Sequence, residues 1–73
     1  MEASSIGEKL KELRTEHGLT QEYVASAVNT TKSLISMYES DKRAPGRDTL
    51  CRLADLYDVT VDYLMGRPTE DFV

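Results

Sequence analysis

Apolar residues recur early in the chain at Ile6, Leu10 and Leu13, the spacing of one helix face, with Lys and Glu filling the positions between them. The pattern predicts a helix from Ile6 to about Glu16, N-capped by Ser4 or Ser5 and closed by a left-handed Gly18. A second helix starts after Thr20, whose hydroxyl can cap it, with Gln21 and Glu22 in its first turn and Val24, Ala25 and Val28 as its stripe. Asn29 ends that helix, because Asn tolerates the left-handed conformation better than any residue but Gly. Thr30 or Thr31 caps a third helix, with Leu34, Ile35 and Tyr38 buried.

The remaining third reads the same way. Pro45 and Gly46 break the chain after Asp41-Lys42-Arg43-Ala44. A fourth helix runs from about Arg47 or Asp48 to Tyr57, burying Leu50, Leu53, Ala54 and Tyr57. Thr60 caps a short fifth helix holding Val61, Tyr63, Leu64 and Met65, which Gly66 ends. The expected fold is all-α and compact, with five helices in one domain over residues 1–66 and a short polar tail over residues 67–73. Helices two and three form a tight corner, with Ala25 as the small residue at the crossing. The second helix of such a corner can enter the major groove of DNA.

Composition removes most other chemistry. In a chain of 73 residues Cys51 and His17 are each the single residue of their type, so neither a disulfide nor a structural zinc site can form within it. His17 reads as a solvated imidazole favoured by a helix C-terminus, Cys51 as a space-filler in helix four, and Asp55 with Asp58 as a solvated helix face. The glycines form no phosphate-binding loop, and no nucleophile stands with a base. The expectation is no enzyme, no cofactor and no metal. No apolar run approaches the roughly 20 residues of a membrane span. The start, Met1-Glu2-Ala3-Ser4-Ser5, carries no basic signal region, so a cytoplasmic protein is expected.

The net charge of −4 is unusual for a nucleic-acid binder, but it is unevenly spread. Over residues 29–47, Lys32, Lys42, Arg43 and Arg47 against Glu39 and Asp41 leave +2, whereas the segments before and after are negative. A polyanion would be drawn to helix three and the loop after it, and repelled elsewhere.

The residues Ile6-Gly7-x-x-Leu10-x-x-Leu13-Arg14, Gly18-Leu19-Thr20-Gln21, Ala25, Ile35-x-x-Tyr38-Glu39, Lys42-Arg43-x-Pro45, Leu50-x-x-Leu53-Ala54 and Val59-x-Val61-x-x-Leu64 follow in family order. With them the chain resembles the lambdoid-phage repressor and Cro helix-turn-helix family, the Xre-type regulators, from Ile6 to Gly66. The resemblance implies base contacts from Gln21, Lys32, Ser33, Ser36 and Met37, and phosphate contacts from Thr20, Thr31, Lys42, Arg43 and Arg47. Lys suits guanine O6 and N7, Ser can donate or accept, and Met offers only apolar contact. It also implies that Arg14 pairs with Glu39, tying helix one to helix three.

The function implied is sequence-specific binding of double-stranded DNA by a transcriptional regulator, foremost a repressor occupying an operator. One domain reads few base pairs, so a homodimer on half-sites about 34 Å apart is expected. Tyr63, Met65 and Phe72 are its candidate interface, and no small-molecule effector is evident. Asn29 stands where the family usually has Gly in the turn. Met37 replaces a hydrogen-bonding residue, and Asp41 replaces the Gly that commonly closes helix three, which sets a carboxylate near the expected phosphates. With the acidic net charge, Met37 and Asp41 support an alternative: an antitoxin- or antirepressor-like module of the same fold that binds another regulator.

Overall fold

The computed structural model describes residues 5–66. They form α1 (Ile6–Glu16), α2 (Gln21–Ala27), α3 (Lys32–Glu39), α4 (Arg47–Tyr57) and α5 (Val61–Met65), with no strand among the described residues. No helix among them is long and apolar enough to cross a membrane.

The caps are local. The hydroxyls of Ser5, Thr20, Thr31 and Thr60 each accept from a backbone N–H in the first turn of the helix that follows. At α1 the cap is reciprocal, because the Glu8 carboxylate accepts from the Ser5 N–H at 3.1 Å. Asn29 takes the left-handed conformation in the turn of the corner, at φ 62°.

The apolar stripes meet in one core. Leu53, Leu64 and Val24 are its largest fully buried side chains, and Ile35, Tyr38 and Tyr57 surround them. α3 packs against both α1 and α2, and α5 touches α1 and α4. The middle helix of the fold is therefore gripped along its apolar side while its opposite face stays open.

The structure departs from the sequence expectation at several places. Ala25 is buried at the corner, and a second close approach, which the sequence does not announce, lies at Gly7, where α1 meets the end of α3. A Cβ there would stand 2.6 Å from the Tyr38 carbonyl oxygen and 2.7 Å from that of Glu39. Cys51 is exposed rather than space-filling, since Leu50, Leu53, Ala54 and Tyr57 already occupy the inward face of α4. Asp58 shares no helix face with Asp55. It lies past the end of α4 in the left-handed conformation, φ 58°, which a short polar side chain tolerates.

Asp41 also takes the left-handed conformation, at φ 63°, and the turn swings its carboxylate away from the loop toward α1. Oδ2 accepts from the Ser5 hydroxyl at 2.6 Å and Oδ1 from the Gly7 N–H at 3.0 Å. The acid expected beside phosphates thus serves the positive end of α1.

Candidate nucleic-acid interface

The open face of α3 carries the polar residues that the stripe of Leu34, Ile35 and Tyr38 leaves outside. Lys32, Ser33 and Ser36 are exposed and Met37 is half-buried. Gln21, at the start of α2, lies beside them. Together with Ser40 and Lys42 these residues line a shallow groove of about 390 Å³. All the residues expected at base edges are therefore gathered on one surface.

The expected phosphate residues are more scattered. Thr20 and Thr31 are exposed N-caps, and their hydroxyls already accept from Tyr23 N–H at 3.0 Å and Leu34 N–H at 3.2 Å. A hydroxyl that accepts within the helix still has its own O–H to donate. The loop after α3 is folded back by the Met37 carbonyl, which accepts from the backbone N–H of Lys42 at 2.9 Å. Arg43 and Arg47 are exposed beyond it and do not line the groove.

Behind the groove stands an ion pair that joins three parts of the chain. Arg14 Nε donates to Glu39 Oε2 at 2.7 Å and Nη2 donates to Oε1 at 3.2 Å, a two-pronged contact. The remaining prong, Nη1, donates to the Leu19 carbonyl at 3.0 Å, just before the α2 cap. The hydrogen bond to Glu39 holds the Arg14 guanidinium above its ordinary pKa, against the opposing effect of burial. Among the described residues Glu39 is the one buried charged side chain, 5 % exposed.

Glu39 reaches the groove through Gln21, whose Nε2 donates to Oε1 at 3.1 Å. The buried pair thus sets the position of a side chain expected to touch DNA. Helical periodicity places Gln21 at a helix start and says nothing of this contact, which spans 18 residues of sequence. Tyr57 lies close to the same pair. Burial first, and the Glu39 charge second, push its phenol up to about 12, and its buried hydroxyl has no hydrogen-bond partner among the described groups.

On α5, Tyr63 and Met65 are 44 % and 46 % exposed, whereas Leu64 is fully buried. Phe72, the third candidate for a dimer interface, lies outside the described residues. His17 is exposed as expected, though engaged: its Nδ1–H donates to the Leu13 carbonyl at 2.8 Å and its ring tilts against Tyr57.

A helix-turn-helix family model matches residues 10–64, from the middle of α1 to α5. The chain belongs to the Xre-type helix-turn-helix family. The HTH-type transcriptional regulator ImmR of Bacillus subtilis (strain 168) is 44 % identical over 63 residues, which cover 86 % of this chain and 50 % of ImmR. The chain spans about half the length of the first curated relatives it matches. Among solved structures, the P22 c2 repressor in complex with a synthetic operator superposes with a TM-score of 0.84 at 22 % identity. The match covers 86 % of this chain and 96 % of that one, and shows the shared fold. SinR, a regulator of biofilm formation solved in complex with DNA, superposes with a TM-score of 0.74 at 28 % identity, covering 81 % of this chain and 95 % of that one.

Proposed function

We propose that this chain is a sequence-specific, double-stranded-DNA-binding transcriptional regulator that represses by occupying an operator, with α3 in the major groove. The observation that carries the proposal is the convergence of Gln21, Lys32, Ser33, Ser36, Met37 and Lys42 on one open groove over the exposed face of α3. Hydrogen-bonding side chains on the outer face of a helix-turn-helix suit base edges. Thr20, Thr31, Lys42, Arg43 and Arg47 supply phosphate contacts around it.

The DNA-binding unit is residues 1–66, acting in the cytoplasm without a cofactor. Two copies meet through Tyr63, Met65 and Phe72, and so read the two halves of a palindrome one DNA turn apart. SinR, solved with DNA, lends support by its likeness.

The alternative, a module that binds another regulator, loses one of its supports, because the Asp41 carboxylate is directed at α1 and not at the groove. Retention on bulk genomic DNA at low salt, falling progressively as salt rises, is the expected result. Absence of retention at any salt, with a normal helical circular dichroism spectrum, would overturn the proposal in favour of that alternative. Selection of bound fragments from random DNA then reads half-site spacing and symmetry.

A further inference from the structure

Glu22 stands on the edge of the same surface, one residue after Gln21 in the first turn of α2. Its Oε2 lies 3.8 Å from Lys32 Nζ, and the two side chains are 67 % and 58 % exposed. Both line a second groove of about 510 Å³, which shares Lys32 itself, Gln21, Ser36 and Ser40 with the first. An exposed pair of this kind adds little to folding. On a surface that must approach phosphates, a carboxylate is also a liability unless it meets a donor.

The major groove offers such a donor in a particular place. An ammonium has three N–H groups, so Lys32 can stay beside the Glu22 carboxylate as its counter-charge and still donate to guanine O6 and N7. The cytosine paired with that guanine presents its N4 amino group beside O6, and a carboxylate is the natural acceptor for it. An A·T pair alternates acceptor, donor and acceptor, so it lacks two neighbouring acceptors for the ammonium. The order cation then anion across this ion pair matches the order acceptors then donor across a G·C pair.

We propose that Glu22 and Lys32 act as one recognition unit that reads a G·C base pair, Lys32 on guanine and Glu22 on cytosine. The proposal rests on the DNA-binding reading above and adds to it a specificity-determining residue on α2. Glu22 then rejects sequences that place an acceptor where cytosine N4 should be, because the carboxylate is left facing another oxygen.

The test is selection of bound fragments from random duplex DNA with the wild-type chain, Glu22→Gln and Lys32→Met, with thermal melts to check folding. The wild type is expected to select a G·C pair at one position of each half-site. Both variants should relax that same position, lowering the preference there by about fivefold or more. If Glu22→Gln keeps the position and binds every sequence more tightly, the carboxylate only repels phosphate and the proposal is overturned. Relaxation at a different position from Lys32→Met overturns it too, as does a wild-type site without a fixed G·C pair. A wild type that enriches nothing at any salt overturns the DNA-binding reading itself.

Discussion

Arg14 and Glu39 close on each other through two hydrogen bonds, at 2.7 and 3.2 Å, across 25 residues of sequence. The contact ties the last turn of α1 to the last residue of α3. Through Leu19 and Gln21 it also fixes the start of α2. The helix expected to enter DNA and the helix expected to brace it are thereby held by one charged pair.

Removing one partner should therefore be expensive. Glu39 is nearly inaccessible, so Arg14→Ala leaves a buried carboxylate without its counter-charge, at a cost of about 3 kcal/mol or more. For a domain of this size each kcal/mol lowers Tm by about 4–8 °C, so the drop should exceed about 10 °C. An unchanged thermal denaturation curve would show that the pair contributes nothing.

Gly7→Ala sets two effects against each other. Ala is the better helix former by about 0.8–1 kcal/mol, but its Cβ would press on two carbonyl oxygens of α3 within 2.7 Å. Backbone of a packed helix yields poorly, and overpacking costs about 1–3 kcal/mol, so steric strain should win. The urea midpoint is expected to fall; a rise would mean that α1 shifts freely.

Asp41 separates backbone strain from side-chain bonding. Asp41→Ala loses the bonds to Ser5 and Gly7 and puts a Cβ residue without local compensation at φ 63°, whereas Asp41→Gly loses only the bonds. The expected order of Tm is wild type, then Gly, then Ala. If Gly matches or exceeds the wild type, the carboxylate does not hold α1 to the end of α3.

Tyr57 predicts a loss of stability at high pH. An exposed phenol in the unfolded chain ionises near pH 10, whereas burial pushes Tyr57 up to about 12 in the folded protein. Between those values the unfolded state has released a proton that the folded state still holds, so stability falls as pH rises, by up to about 1.4 kcal/mol per unit. Denaturation at pH 9 and pH 11 should show the decline. Tyr57→Phe should flatten it, at little cost at neutral pH, because the buried hydroxyl lacks a hydrogen-bond partner. Equal slopes in the two proteins would count against Tyr57 as its origin.

On DNA, the two lysines of the groove, Lys32 on α3 and Lys42 in the loop after it, should behave differently. Lys32→Ala should lose discrimination at particular bases, whereas Lys42→Ala should weaken all sequences alike and reduce the salt slope by about one unit. Anisotropy titrations over a salt series, with a selected and a scrambled duplex, distinguish the two. Uniform weakening by Lys32→Ala would make it a phosphate contact.

The five helices and their inward faces were legible from the chain because each rests on neighbours within a turn or two. The spacing of Ile6, Leu10 and Leu13 defines a face, Thr20, Thr31 and Thr60 bond three residues ahead, and Gly18 and Gly66 close helices in the left-handed conformation. The outer face of α3 followed by subtraction, once Leu34, Ile35 and Tyr38 were directed inward. The Arg14 and Glu39 contact was reached only through the family resemblance, since no local rule pairs those positions.

Polar partnerships across the fold were not legible in that way. Asp41 reads as an acid on a basic loop until the packed helices bring Ser5 within 2.6 Å of it, 36 residues away. The resemblance pairs Glu39 with Arg14, but its bond to Gln21 comes only with the packing of α2 against α3. Gly7 looks like an ordinary helical glycine until α3 ends against it, and Glu22 like an ordinary first-turn acid until Lys32 comes within 3.8 Å. Helix positions and apolar faces follow from periodicities of a few residues. Which charges meet depends on how whole helices cross, and it is those crossings that organise the candidate DNA surface.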